Sequence, residues 1–230
     1  MTIMGLQKLT LLDYPGKTAC TVFTGGCNFR CPFCHNASLV IPSKFGAVMP
    51  TEEFFAFLEK RKGILQGVCV SGGEPTLMFD LEEFIARIKS MGFLVKLDTN
   101  GSRPEVLRSL VEKGLVDYVA MDIKNSPDMY PKTVGIEGFD VSPILESAAF
   151  LMSGAVDFEF RTTVVAGHHT EREIGLIGEW LAGAPRLYLQ NFVDSGDLIS
   201  AEVGGVDKNT METLCNLLKG YIPNAKIRGL

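Results

Sequence analysis

The chain has 230 residues, of which 46% are hydrophobic and 21% are charged, and this ordinary balance argues against a disordered or coiled-coil protein. Its 22 basic and 27 acidic residues give a net charge of −5, which argues against nonspecific nucleic-acid binding as the main function. The amino-terminal residues lack the pattern of a secretory signal, and no apolar run approaches the roughly 18 residues of a membrane span, so we expect no membrane association and a cytoplasmic location.

Short apolar or β-branched runs alternate with amphipathic stretches along most of the chain. Six runs are predicted strands, at residues 19–23, 67–71, 94–99, 118–123, 158–165 and 187–192. Six amphipathic stretches are predicted helices, at residues 51–62, 81–91, 104–113, 143–153, 170–181 and 208–218. Thr51, which is followed by two acidic residues, is predicted to cap the first of these helices. The loops at 41–50 and 125–140 are the predicted mobile segments over the site.

A strand and a helix that repeat about six times predict a parallel sheet with right-handed crossovers, built as an open sheet or a partial barrel. No internal repeat, low-complexity tract or linker interrupts the pattern, so we expect a single domain over residues 1–230. Ligands of such folds collect at the carboxyl ends of the strands. Polar sequences stand at four of these ends: TGGC from 24, SGGEPT from 71, DTNG from 98 and DIKN from 122.

Three cysteines stand close together directly after the first predicted strand, in the segment TGGCNFRCPFCHNA (24–37). Their spacing is Cys27-x3-Cys31-x2-Cys34. Clustered thiols in a chain expected to be cytoplasmic indicate metal or redox chemistry, because disulfide frameworks belong to oxidising compartments. The C-x-x-C-H pattern of c-type haem attachment and the C-x-x-C pair of thioredoxin-like proteins both occur here, but each leaves Cys27 without a role.

Two kinds of metal site remain open. A structural zinc ion could take its fourth ligand from His35, although adjacent residues such as Cys34 and His35 seldom direct both side chains at one tetrahedral ion. A four-iron, four-sulfur cluster with three irons held by thiolates would instead leave its fourth iron open for a ligand that is not protein.

The cysteine motif, with Phe33 immediately before the last cysteine, resembles the cluster motif of the radical S-adenosylmethionine (SAM) enzymes. The pairing of this motif with SGGEPT on the next strand is specific. The opening GLQKLTLLDYPGKTACTVFTGGCNFRCPFCHN is similar to the activating proteins of glycyl radical enzymes, above all to those that activate anaerobic ribonucleoside-triphosphate reductase. The resemblance implies a partial (β/α)6 barrel of parallel strands. It also implies a [4Fe-4S] cluster held by Cys27, Cys31 and Cys34, with SAM as the ligand of the fourth iron.

The same resemblance implies which residues contact the cosubstrate. Gly72, Gly73 and Glu74 match the Gly-Gly-Glu strand end that holds the amino group of SAM. The chemistry is suitable, because glycine lets backbone carbonyls approach closely and a carboxylate suits an ammonium group. Phe33 is also expected beside the cofactors.

Further expected contacts lie at later strand ends. Residues that match those near the ribose and the methionine carboxylate are Asp98, Thr99, Asn100, Asp122 and Lys124, with Lys124 as the charge that pairs with the carboxylate. Three of them, Asp98, Thr99 and Asp122, are also implied to form an oxygen-rich site for a monovalent cation. Arg161 and Gln190 match positions near the cosubstrate, although several related enzymes carry histidine in place of Gln190. We assign no role to His168 and His169.

The implied function is the reductive cleavage of SAM to methionine and a 5′-deoxyadenosyl radical, which abstracts a hydrogen atom from a glycine of a partner glycyl radical enzyme. Anaerobic ribonucleoside-triphosphate reductase is the expected partner, and a flavodoxin or a ferredoxin-like protein is the expected electron donor. Two alternatives stay open. One is a radical SAM enzyme that acts on a small molecule, of the 7-carboxy-7-deazaguanine synthase kind, and the other is a zinc or iron-sulfur protein without catalysis.

Overall fold

The computed structural model describes residues 1–200 and 202–229, which are folded around one sheet. Within these residues the sheet has eight strands in chain order: β1 (Ile3–Thr10), β2 (Ala19–Thr24), β3 (Gly67–Gly72), β4 (Leu94–Thr99), β5 (Tyr118–Asp122), β6 (Asp157–Val164), β7 (Leu187–Asn191) and β8 (Lys226–Arg228). β1 is antiparallel to β2, and every later strand is parallel to the strand before it. β1 and β8 form the two edges, so the sheet is a barrel that does not close.

Helices connect the parallel strands and cover the outer face of the sheet. In the described part of the chain they are α1 (Ala37–Val40), α2 (Thr51–Glu59), α3 (Leu81–Ser90), α4 (Pro104–Glu112), α5 (Tyr130–Val134), α6 (Ser142–Met152), α7 (Glu171–Trp180) and α8 (Lys208–Lys219). The longer helices bury one apolar face, as α4 does with Leu107, Leu110 and Val111 at helical spacing. None of the described helices has the length and the apolar character needed to cross a bilayer.

The structure confirms the predicted α/β partial barrel of parallel strands. The six predicted strands correspond to β2 to β7, while the edge strands β1 and β8 and the short helices α1 and α5 were not predicted. The prediction that Thr51 caps its helix is wrong. Thr51 is the first residue of α2, because Pro50 takes the non-helical cap conformation, and no side chain caps this helix.

The two faces of the sheet differ in chemistry, because successive residues of a strand point to opposite faces. The outer face packs against the helices through fully buried aliphatic side chains, among them Val68, Val70, Val95, Leu97 and Val119. The inner face carries charged side chains that contact one another, namely Lys96, Asp98, Asp122, Glu159 and Arg161 together with Arg228 of β8. The interior of this barrel is therefore polar, and some of its charged residues lie at the carboxyl ends of the strands.

Candidate active site

A cleft lies at the carboxyl edge of the sheet, where the ends of β2 to β6 meet. It encloses about 800 Å³ including its open mouth, which is within the range of small-molecule sites. Thirteen of the fourteen predicted site residues line it, and these are Cys27, Cys31, Phe33, Cys34, Gly72, Gly73, Glu74, Asp98, Thr99, Asn100, Asp122, Lys124 and Arg161. The parallel sheet has thus brought together residues that are spread over 135 positions of the sequence.

The three clustered cysteines are free thiols in the loop between β2 and α1. The backbone N–H of Phe29 donates a hydrogen bond to Sγ of Cys27 at 3.3 Å, and Nδ2 of Asn100 lies 3.8 Å from the same sulfur. Burial raises the pKa of Cys27 to about 11 and that of Cys31 to about 12, so both thiols keep their protons at neutral pH until a metal displaces them. Three thiols on one cleft, with N–H donors aimed at sulfur, fit an iron-sulfur cluster.

The zinc alternative needs a different arrangement of ligands from an iron-sulfur cluster. Among the described residues, no three His, Cys, Asp or Glu side chains converge on the position of a single metal ion. A structural zinc site needs four such ligands around one ion, whereas the three thiolates of a four-iron cluster each bind a different iron. His35 lines the cleft beside Cys34 and packs its ring 5.0 Å from that of Phe192.

The Gly-Gly-Glu segment at the end of β3 is fastened to the loop that carries the cysteines. Gly73 donates its N–H to the carbonyl oxygen of Thr24 at 2.9 Å, and Glu74 donates its N–H to that of Gly26 at 2.8 Å. A Cβ atom on Gly73 would lie 1.9 Å from the carbonyl oxygen of Gly26. Gly72 has a φ of +124°, and its Cβ would lie 2.2 Å from the nitrogen of Thr24. Both positions therefore need glycine for the contact between two backbone segments.

Glu74 is almost fully buried, and its carboxylate accepts four hydrogen bonds from protein groups. Thr76 donates from its N–H and its hydroxyl, Thr99 donates from its hydroxyl at 2.8 Å, and Asn100 donates from its N–H at 2.6 Å. Burial raises the pKa of Glu74 above its usual range against the opposing effect of these bonds. The carboxylate thus joins the ends of β3 and β4, and its contact with the amino group of SAM stays a prediction.

A chain of paired charges crosses the floor of the cleft. Arg161 donates from Nε to Asp122 at 2.8 Å and from a terminal nitrogen to Asp98 at 3.2 Å. Lys96 also pairs with Asp98, and Lys124 pairs with Asp122 at 3.0 Å. Burial would raise the pKa of both carboxyls, but Arg161 and the adjacent lysines hold these pKa values below the usual range.

These contacts do not fit the predicted monovalent-cation site. Arg161 already bridges the two carboxylates that would bind the cation, and each carboxylate also has a lysine partner. The third predicted ligand, Thr99, directs its hydroxyl at Glu74. A cation would have to displace ammonium or guanidinium groups to reach these oxygens.

Two buried side chains support the backbone of Lys124. Its N–H donates to the hydroxyl of Tyr130 at 3.1 Å, and its carbonyl oxygen accepts from Nε2 of His169 at 2.8 Å. Nδ1 of His169 accepts from the N–H of Val165, which fixes the tautomer of the ring. Burial lowers the pKa of His169, so the ring is neutral. Phe33 packs edge-on against this ring at a centroid distance of 6.3 Å.

Gln190 is the predicted site residue that does not line the cleft. It lies on β7 in register with Thr163 of β6, one strand beyond the cleft wall, and its role stays a prediction. Sequence reasoning missed Thr163, although it stands two positions from Arg161 and so shares its face of β6. It missed Ser71 as well, which directly precedes Gly72 at the end of β3. It also missed Phe29, His35, Asn36 and Val40, for which no periodic pattern exists.

The partial barrel and the cleft with three thiols at its carboxyl edge define an enzyme that holds an iron-sulfur cluster beside a small cosubstrate. The chain belongs to the radical SAM superfamily, which it matches over residues 21–179. Its cofactors are accordingly a [4Fe-4S] cluster and SAM, and the resemblance seen in the sequence is confirmed at this level.

The similar proteins include one that is named for activating another enzyme and one that is named for making a small molecule. Over 98% of its length, the chain is 34% identical to a Methanocaldococcus jannaschii protein that carries the provisional name of glycyl-radical enzyme activating enzyme. The match covers 95% of that protein. It is 27% identical, over 72% of its length, to 7-carboxy-7-deazaguanine synthase of Koribacter versatilis, covered to 70%.

A solved structure with a similar fold is that of Streptococcus suis SuiB bound to S-adenosylmethionine. The TM-score is 0.71 and the sequence identity is 14%, over 90% of this chain and 49% of SuiB. The chain thus spans about half the length of SuiB, and at this identity the similarity is one of fold alone.

Proposed function

We propose that this protein activates a glycyl radical enzyme, and that the first partner to test is anaerobic ribonucleoside-triphosphate reductase. The observation that carries the proposal is the meeting of three free thiols with the Gly-Gly-Glu strand end in one cleft. Similarity over 98% of the chain to a protein named as a glycyl-radical enzyme activating enzyme supports the choice of substrate class. The choice of reductase rests on the resemblance of the amino-terminal segment.

When bound and reduced, the cluster supplies one electron that cleaves SAM to methionine and the radical that takes a hydrogen atom from the partner's glycine. The residues of this chain bind and orient the reactants. Cys27, Cys31 and Cys34 would hold three irons, and the fourth iron would stay free for the amino and carboxylate groups of SAM. The walls of the cleft would exclude water and oxygen from the reacting atoms.

The charged floor of the cleft suits a zwitterionic cosubstrate. Lys124 lines the cleft together with Cys31 and Cys34, and it would attract the methionine carboxylate. The backbone carbonyls of Gly72 and Gly73 would accept hydrogen bonds from the amino group of SAM. Asp98 and Asn100 line the cleft, where they would contact the ribose.

A flavodoxin or a ferredoxin-like protein would supply the electron, and the cytoplasm is the proposed location. All six cysteines are free thiols, which suits a reducing compartment. The single domain over residues 1–230 is part of the same proposal.

The proposal is tested by anaerobic incubation of the reconstituted and reduced protein with SAM and a candidate anaerobic ribonucleotide reductase. We expect the electron paramagnetic resonance doublet of a glycyl radical on the reductase, and no doublet with the Cys31→Ala variant. If 5′-deoxyadenosine forms but neither this reductase nor pyruvate formate-lyase acquires the glycyl radical doublet, the activase proposal is contradicted while the radical chemistry stands.

A second candidate is a radical SAM enzyme that acts on a small molecule. The similarity to 7-carboxy-7-deazaguanine synthase over 72% of the chain favours it. Turnover of a small pterin with formation of 5′-deoxyadenosine, in the absence of any partner protein, would select this candidate. A purified protein that is colourless and contains zinc would select the alternative without catalysis.

A further inference from the structure

The long loop between β7 and α8 contacts the loop that carries the three cysteines. Its residues 195–200, called here the docking segment, make hydrogen bonds on both sides of Cys34. The N–H of Ser200 donates to the carbonyl oxygen of Pro32 at 3.0 Å, and the hydroxyl of Ser195 donates to that of His35 at 3.0 Å. Long loops without secondary structure of their own are uncommon unless they serve a function.

Asp197, in the middle of the docking segment, caps α1 from a distance of 159 positions in the sequence. Its Oδ2 accepts from the N–H of Ser38 at 2.9 Å and from the Ser38 hydroxyl at 2.6 Å. Its backbone carbonyl accepts from the N–H of Ala37 at 3.1 Å. The residue in the local cap position, Asn36, makes no side-chain cap. Asp197 thus satisfies the amino-terminal N–H groups that the local sequence leaves without partners.

The short helix α1 depends on such outside support. It has four residues, and a single helical turn is unstable by itself because nucleation is unfavourable. At its other end, the carbonyl oxygen of Leu39 accepts from the N–H of Gly26 at 2.7 Å. α1 is therefore fixed at its amino end to Asp197 and near its carboxyl end to the loop before Cys27.

We propose that Asp197 is a positioning residue for the iron-sulfur cluster. It holds α1 at the sheet edge and keeps in place the docking segment that contacts the turn between Cys31 and Cys34, so the loss of its contacts speeds the loss of the cluster. This inference rests on the proposed binding of a cluster by the three cysteines. It concerns retention of the cluster and makes no claim about the partner enzyme.

The test compares the rate at which a chelator removes the cluster from reconstituted variants under anaerobic conditions, followed by the visible absorbance of the cluster and by iron content. We expect Asp197→Ala to lose its cluster about tenfold faster than the wild type, as the loss of a helix cap would predict. Asp197→Asn keeps one oxygen acceptor for the N–H of Ser38, so its rate should be intermediate.

Asp207→Ala is the matched control. Asp207 caps α8 with the same chemistry, accepting from the N–H of Thr210 at 3.0 Å and from its hydroxyl at 2.8 Å, but α8 packs against α7. We expect this variant to lose its cluster at the wild-type rate. Thermal unfolding of the cluster-free variants shows how far general stability contributes.

The outcomes distinguish a failure of the proposed function from a failure of the role of Asp197. A wild-type protein that takes up no cluster contradicts the proposed function itself, before any variant is made. A wild-type protein that holds four irons, together with an Asp197→Ala variant that loses them no faster, overturns the role of Asp197 alone. Equal acceleration in Asp197→Ala and Asp207→Ala also overturns it, because the effect would then be one of general stability.

Discussion

The guanidinium of Arg161 donates a hydrogen bond from Nε to Oδ1 of Asp122 on the neighbouring strand, at 2.8 Å. A second nitrogen of the same group reaches Asp98, two strands away from β6. One cation therefore links three strands beneath the cleft. The side chain is 16% exposed, so little water is present to replace it.

Removal of the Arg161 guanidinium should destabilise the fold. In Arg161→Ala, two largely buried carboxylates lose a charge partner, and we expect a loss of about 3–5 kcal/mol in the free energy of unfolding. The measurement is urea unfolding of the cluster-free protein. Lys113→Ala, which breaks an exposed pair with Glu82, is the control and should show no comparable change. Equal stabilities of Arg161→Ala and the wild type would contradict the bridging role.

The same bridge predicts that SAM binding does not depend on the monovalent cation in the buffer. Arg161, Lys96 and Lys124 already neutralise the carboxylates that a metal cation would need. SAM affinity of the reconstituted protein, measured by calorimetry in potassium, sodium or tetramethylammonium chloride at equal ionic strength, should be unchanged. A preference of about tenfold for one metal cation, equivalent to about 1.4 kcal/mol, would restore the cation site predicted from the sequence.

The close contact of Gly73 with Gly26 predicts that Gly73→Ala separates the two loops. The added Cβ would lie 1.9 Å from a carbonyl oxygen, a distance that no side-chain movement relieves. We expect a loss of about 1–3 kcal/mol or more in the free energy of unfolding, together with fewer irons bound per chain. Gly46→Ala, where an added Cβ meets nothing within 4 Å, is the control and should bind iron as the wild type does. A Gly73→Ala variant with wild-type stability would show that the loops adapt.

His169 predicts part of the pH dependence of stability. Burial of its ring makes its pKa in the folded state lower than in the unfolded chain. The unfolded state then binds more protons, and stability falls as pH drops below the unfolded pKa of about 6.5, by up to about 1.4 kcal/mol per pH unit for one proton. Urea unfolding between neutral and mildly acidic pH should show a smaller slope for His169→Gln. Equal slopes would mean that the ring titrates normally.

Much of the fold and site follows from local sequence patterns. The strands β2 to β7 are apolar runs bounded by polar turns, and the polar residues after them include nearly all of the predicted site. Because parallel strands share one carboxyl edge, a residue such as Lys124 could be placed beside Cys31 without knowledge of the structure.

The remaining features depend on contacts between distant parts of the chain. Asp197 and Ser38 are 159 positions apart, and neither stands in a pattern that indicates the other. The hydrogen bonds of Glu74 with Thr99 and Asn100 are also set by tertiary packing. The same is true of the ion pairs of Arg161 with Asp98 and Asp122. The three-residue strand β8 is too short to show a period of its own.

The central question is whether the reduced protein cleaves SAM with the cysteines that line its cleft. The protein is reconstituted anaerobically, reduced with dithionite and incubated with SAM, and 5′-deoxyadenosine and methionine are measured by chromatography. We expect both products from the wild type and neither from Cys27→Ala, Cys31→Ala or Cys34→Ala. A wild-type protein that holds four irons per chain but leaves SAM intact, or a cysteine variant as active as the wild type, would contradict this expectation.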